Sequence, residues 1–213
     1  MNIKFLSLGS GSSGNCYYLG TDTYSILIDA GVGIRTIKKI FKEYSLSLST
    51  VRAVFITHDH ADHIKAAGHL AGKHNIPIYS TPEVHQGMRR SYCMTEKIDN
   101  AHAKFINKGE TITVEDFEIT CFEVPHDGTD NVGYTIRIDG KTFSFLTDIG
   151  HITETAAAHI VQSNYLVLEA NYDKTMLQIG PYPQYLKERI AGPNGHLCNA
   201  DAAQFLAENY PQG

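Results

Sequence analysis

The stretch FITHDHADHIKAAGHLAG sets His58, His60, Asp62 and His63, all of types that bind cations, within six positions. The β-type run AVFIT leads into His58. Side chains two apart in extended chain face the same side, so His58 and His60 can grip one metal ion. Asp62 and His63 stand at the turn into a helical pattern and are aimed differently, which suits a second ion nearby. Imidazole and carboxylate donors without thiolate fit Zn²⁺ first, with Mn²⁺ or Fe as alternatives. The plain alternative is a polar strand-to-helix turn that happens to hold histidines. So many donors directly behind an apolar strand argue against it.

A second stretch, SLGSGSSGNCYYLG, spells G-x-G-x-x-G with Gly9, Gly11 and Gly14, and Asp29 in ILIDAG follows fifteen residues after Gly14. A dinucleotide site needs a helix behind the glycines to hold the pyrophosphate. The next residues, NCYYLGTDTYSILIDAG, read as a hairpin instead, and no P-loop lysine follows. The glycines are therefore expected to form a tight turn at the rim of the metal site. There Ser12 and Ser13 would leave room for substrate, and backbone N–H groups would meet a phosphate oxygen. Asn15 is expected to hydrogen-bond a metal ligand.

These residues need elements to position them. Strands are expected at Lys4–Leu8, Cys16–Leu19, Ser25–Asp29, Ala53–Thr57, Ile76–Ser80 and Lys104–Ile106. Further strands are expected at Thr111–Val114, Glu118–Val124, Gly133–Ile138, Thr142–Thr147 and Tyr165–Glu169. Helical patterns cover Ile34–Tyr44, Asp62–His74, Pro82–Arg90, Ile152–Val161, Pro183–Ala191 and Asn199–Asn209, the last with Asn199 as N-cap. Hairpin-linked strands with interleaved helices point to an α/β (α+β) fold, an αββα sandwich of two mixed sheets with outer helices.

The 213 residues suffice for a single domain, 1–213, and no stretch approaches the length needed to span a bilayer. With no leader-like segment at its start, the chain reads as cytoplasmic. Cys16, Cys93, Cys121 and Cys198 form no C-x-x-C pair and read as buried free thiols. A net charge of −5 argues against a broad basic surface for duplex nucleic acid. Local basic groups remain at Met88–Arg90 and Lys38–Lys39. Tyr17, Tyr18, Tyr182 and Tyr185 can stack on bases, although packing is the default role of such residues.

The run H-x-H-x-D-H resembles the signature of the metallo-β-lactamase-fold hydrolases, and other pieces recur in that superfamily's order. FEVPHDG ends a strand at His126, FSFLTDIG ends one at Asp148, and SILIDAG carries Asp29. The stretches LGSGSSGNC, LEANYD, GPYPQYLKERIAGPNGHLCN and ADAAQFL look like the YycJ/WalJ branch, so the resemblance covers nearly the whole chain. It implies two divalent metal ions, with His58, His60, Asp62, His63 and His126 as ligands and Asp148 bridging. It places Asp29 behind the ligand loop, where it would orient the ligands. It also implies a phosphodiesterase acting on nucleic acid, with 5′→3′ exonuclease action on DNA, through a metal-bridging hydroxide.

In that scheme Asp62 helps orient the hydroxide, and His196 of GHLCN is catalytic, as proton donor or phosphate contact. Asn171, Lys187 and Arg189 are assigned to substrate binding. A thioester or lactone hydrolase of the same fold is the alternative enzyme, and a non-catalytic metal-binding adaptor of a signalling operon is the alternative of another class. One departure from the pattern concerns the last strand of the phosphodiesterase branches and its histidine, which are missing after Asn209. Truncation is the expectation there. The oligomeric state is not legible.

Overall fold

The structure, a computed structural model, describes residues Met1–Asn209. The chain divides into two compact units. One comprises Met1–Asn107, Thr111–Phe117 and Gly128–Asp130; the other comprises Lys108–Glu110, Glu118–Asp127 and the residues from Asn131 on.

In the first unit, β1 (Lys4–Gly9), β2 (Cys16–Gly20), β3 (Ser25–Ile28), β4 (Val51–Phe55), β5 (Ile78–Ser80) and β6 (Ala103–Phe105) form one sheet in chain order. β1, β2 and β3 pair antiparallel, whereas β3 to β6 run parallel. Parallel neighbours require crossovers. These are α1 (Ile34–Glu43), then α2 (Ala61–Ile64) with α3 (Ala67–His74), then α4 (Pro82–Arg90). The apolar stripe of α1, Ile37 and Phe41, packs with Leu27, Val54, Ile64 and Leu70 into one core. β3 is buried along its whole length, as a parallel strand flanked by covered faces must be. Ile28 pairs in register with Phe55. The carboxyl ends of β3 and β4 therefore lie side by side and deliver Asp29 and Thr57–His58 to one place.

The second sheet runs β11 (Tyr165–Leu168), β10 (Lys141–Leu146), β9 (Val132–Ile138), β8 (Phe117–Glu123), β7 (Thr111–Val114). β8, β9 and β10 are antiparallel; β11 returns parallel to β10 after α5 (Glu154–Val161). Asp139 and Gly140 both have positive φ, 50° and 69°, as the two-residue turn between β9 and β10 demands. Leu146 pairs with Leu168, so Asp148 and Glu169 follow neighbouring strand ends. Then come α6 (Lys174–Ile179), α7 (Gln184–Ala191) and α8 (Asn199–Asn209). Phe122, Leu146, Ile149, Ile160, Leu197 and Ala202 pack as this unit's apolar cluster.

Two mixed sheets with helices match the expected class, and every expected strand is present with ends shifted by a residue or two. The helix expected over Asp62–His74 is split. The Ala30 N–H donates to the His63 carbonyl (2.8 Å) and the Ala66 N–H donates to the Ala30 carbonyl (2.8 Å), so the β3–α1 loop takes the bonds that would continue the helix. Asn199 is the first residue of α8 and not its cap. The Asp201 N–H instead reaches Cys198 Sγ at 3.3 Å. α6, capped by Asp173 Oδ1 on the Met176 N–H at 2.8 Å, was not expected. Cys93 is half-buried and the other three thiols are buried. Among the described residues no helix is long and apolar enough to cross a membrane. The expectation about a strand after Asn209 lies outside the described residues.

Candidate metal centre

Asp29 organises the donors of the first unit. Its φ of 59° puts it in the left-handed region, which aspartate tolerates better than most residues. Its carboxylate is fully buried and accepts the Thr57 N–H (2.9 Å), the Thr57 hydroxyl (3.0 Å) and His63 Nδ1 (2.7 Å). A carboxylate only accepts, so the network assigns the proton of His63 to Nδ1 and leaves a lone pair on Nε2. The Asn15 amide donates to that Nε2 at 3.0 Å, while its Oδ1 takes the Gly11 N–H at 3.0 Å. The same logic extends to His58. Thr57 gives its hydroxyl proton to Asp29, so His58 Nδ1 donates to Thr57 Oγ1 at 3.0 Å. His58 Nε2 is left facing His60 Nδ1, 3.0 Å away.

Two imidazole nitrogens bound tetrahedrally to one cation stand about 3.3 Å apart, given metal–nitrogen bonds of about 2.0–2.1 Å. The His58–His60 spacing and the lone pairs on His58 and His63 therefore fit a divalent ion. Asp62 Oδ2 lies 3.9 Å from His63 Nε2. The glycine turn is held against this loop: the Asn15 N–H donates to the Asp62 carbonyl at 2.7 Å. Gly31 is required on the other side, because a Cβ there would stand 1.5 Å from the Asp62 carbonyl oxygen.

Asp59 faces away from this network. Its carboxylate accepts the Thr129 N–H at 2.9 Å and the Thr129 hydroxyl at 2.5 Å. Sequence reasoning assigned Asp59 no role, and no local pattern announces a partner seventy positions on.

In the second unit, buried His126 donates Nδ1–H to the Gly195 carbonyl at 2.8 Å. Its Nε2 lies 3.5 Å from both Asp148 Oδ2 and Asp127 Oδ1. Asp148, Glu169 and His196 each offer a ligand atom within 4.8 Å of the others. Glu169, however, is saturated by the protein. Oε2 accepts the Ile149 and Leu197 N–H groups (2.9 and 3.1 Å), and Oε1 accepts His196 Nδ1 (2.6 Å) and the Asn171 amide (3.0 Å). It is better placed to hold His196 through Nδ1 than to bind a cation. Burial opposes charge on His196, but the Glu169 hydrogen bond and the carboxylates of Glu169, Asp148 and Asp127 outweigh it and raise its pKa. Glu169 was missed as a site residue although it ends a strand just as Asp148 does.

The remaining expected residues divide. Ser12 and Ser13 are exposed on the glycine turn. Asn171 is engaged with Glu169. Lys187 Nζ donates to the Gln178 carbonyl at 2.6 Å, and Arg189 forks onto Asp127 with Nε and Nη2 at 2.5 and 3.1 Å. Both cations thus have protein partners. Tyr17 and Tyr18 are buried and cannot stack on a base, whereas Tyr182 and Tyr185 are exposed.

Residues 24–212 match the family described as Beta-lactamase superfamily domain. The chain is 33% identical over 208 residues to a Bacillus anthracis protein named Exodeoxyribonuclease YycJ, covering 98% of this chain and 78% of that one. It is 34% identical over 206 residues to Exodeoxyribonuclease WalJ of Streptococcus pneumoniae, covering 97% and 76%. Among solved structures, the metallo-beta-lactamase fold protein YhfI from Bacillus subtilis superposes with a TM-score of 0.70 at 20% identity, covering 98% of this chain and 83% of that one. The short form of human tRNase Z gives a TM-score of 0.70 at 17% identity, covering 96% and 88%.

Proposed function

This chain belongs to the beta-lactamase superfamily, and we propose that within it the chain is a metal-dependent phosphodiesterase that degrades DNA from an end. The observation that carries the proposal is the Asp29 network, which fixes the tautomers of His58 and His63 so that Nε2 of each carries the lone pair, that of His63 now accepting the Asn15 amide. The similarity to two proteins named exodeoxyribonucleases over nearly the whole chain supports DNA as the substrate and exonucleolytic cleavage. The whole chain, 1–213, is taken as one domain carrying both donor sets, working in the cytoplasm where DNA is at hand.

By the family's ligand order, His58, His60 and His126 would hold one ion, Asp62 and His63 would hold the second, and Asp148 would contribute to both. Zn²⁺ suits these donors first, with Mn²⁺ or Fe as alternatives. Two such ions supply Lewis acidity to the phosphodiester oxygens and lower the pKa of a bound water. The chain's own groups do the rest. Asp62 orients the attacking water, and backbone N–H groups beside Ser12 and Ser13 meet a phosphate oxygen. His196 passes the proton on Nε2 to the leaving oxygen while Glu169 keeps the ring fixed through Nδ1. Lys187 and Arg189 reach flanking phosphates only if they leave the Gln178 carbonyl and Asp127.

The test offers metal-loaded protein a labelled oligonucleotide, a chromogenic phosphodiester and a thioester, with a chelator control and His58→Ala. Chelator-sensitive cleavage of both phosphodiesters, lost in His58→Ala, is expected. Thioester turnover without phosphodiester cleavage would overturn the proposal.

A further inference from the structure

α4 touches the metal-binding loop and ends in a surface that the mechanism above does not use. A Cβ on Gly87 would stand 2.0 Å from Asp59 Oδ2, so the helix backbone abuts the carboxylate between His58 and His60. Arg90 follows one helical turn later, about 4.5 Å further along the axis. Arg89 and Arg90 are exposed in the last turn of α4, and Tyr92 just beyond is 94% exposed, the most of any large apolar side chain described.

Three cations lie close to Tyr92 in the chain: Arg89, Arg90 and Lys97. Arg89 donates to Asn100 Oδ1 at 3.0 Å, Lys97 folds back so that Nζ donates to the Ser91 carbonyl, and Arg90 has no hydrogen-bond or ion-pair partner among the described residues. The neighbouring acids are already taken: Glu96 Oε1 by His69 at 3.1 Å and Asp99 Oδ1 by His102 at 2.7 Å. In a chain of net charge −5, the segment 89–99 thus carries three cations against two acids, with Arg90 unpartnered among the described residues beside one bare aromatic ring.

A partner that suits both features carries negative charge and flat apolar faces. We propose that Arg90 and Tyr92 bind single-stranded DNA within a few nucleotides of the metal loop, Tyr92 stacking on a base and Arg90, with Lys97, holding the adjacent phosphate. A ring in this position accepts any base, because every base has a π-face. Duplex DNA presents no free base face away from its ends. The inference rests on the phosphodiesterase reading and adds a strand contact to it.

The test reads binding by fluorescence anisotropy, using metal-loaded protein and a 5′-fluorescein oligodeoxythymidylate with phosphorothioate linkages that resist cleavage. Tyr92→Ala is expected to weaken binding about tenfold, and Tyr92→Phe to retain it, since stacking needs the ring and not the hydroxyl. Arg90→Ala is expected to weaken binding and to flatten the dependence of log affinity on log salt by about 0.7 to 1. Tyr44→Ala, at another exposed ring, serves as control and is expected to bind as wild type. All variants should hydrolyse bis(p-nitrophenyl) phosphate at the wild-type rate. Unchanged DNA affinity in both Tyr92→Ala and Arg90→Ala would overturn the proposal. So would a changed sedimentation coefficient in Tyr92→Ala with DNA affinity intact, which would assign the patch to a second copy. Tyr92-dependent binding in a protein that hydrolyses no phosphodiester would sustain the surface while overturning the enzymatic reading.

Discussion

Asp29 and His63, both fully buried, are joined by a 2.7 Å hydrogen bond that puts the proton of His63 on Nδ1 and the lone pair on Nε2, toward Asn15. The same carboxylate, through Thr57, sets the tautomer of His58. One acid therefore orients two imidazoles. Asp29→Asn keeps the shape but replaces one acceptor with a donor. Cation affinity should fall about 10- to 100-fold, read by competition with a chromophoric chelator. Asp29→Ala should also destabilise the fold by about 3 kcal/mol, because Thr57 and His63 lose their buried acceptor.

The closeness of Gly31 to the ligand loop gives a second prediction. The Cβ of Gly31→Ala would collide with the Asp62 carbonyl, backbone that no rotamer change can clear. A loss of more than about 2 kcal/mol in urea denaturation, together with loss of metal binding, is expected. Gly33→Ala meets nothing within 4 Å and should cost less than about 1 kcal/mol.

His196 can be tested through the leaving group. A proton donor matters for an alkoxide and hardly at all for p-nitrophenolate. His196→Ala should lower kcat on DNA by about 10²- to 10⁴-fold and largely spare a p-nitrophenyl ester. Glu169 raises the pKa of His196, so the protonated donor persists to higher pH. Glu169→Gln should accordingly move the alkaline limb of the pH–kcat profile to lower pH.

His85 links stability to pH. It is buried and donates Nε2–H to the Lys104 carbonyl at 2.9 Å, and burial lowers its pKa. The unfolded chain therefore takes up a proton below about pH 6.5 that the folded chain resists. Its contribution is intact above that pH and is lost as pH falls toward the folded value. His85→Gln, which can keep the bond to Lys104, should show a shallower loss of stability between pH 7.5 and 5.5 in denaturant melts. His74 and His159, lowered in the same direction chiefly by burial, should leave a residual slope.

Much of this was legible in the sequence because strand ends are local. His58, His126 and Asp148 do follow the ends of β4, β8 and β10, which apolar runs mark without knowledge of any partner. The hairpin reading of NCYYLG also placed the glycine turn against Asp62 and His63, where Asn15 contacts both. Long-range pairings were not legible. Ala30 splits the expected helix by exchanging backbone bonds with His63 and Ala66, which periodicity cannot reveal. Arg189 reads as a free cation until Asp127, distant in the chain, is found beside it. Glu169 and α6 were legible and overlooked, the one a strand-end acid and the other a helix behind an aspartate cap.

Exonucleolytic cleavage is tested most directly by time-resolved analysis of the products that metal-loaded protein makes from a 5′-labelled single-stranded oligonucleotide. Early release of the labelled 5′-terminal nucleotide is expected, abolished by chelator and by His58→Ala, with the fold of that variant intact by circular dichroism. Absence of any phosphodiester cleavage while the same preparation hydrolyses a thioester would contradict a phosphodiesterase.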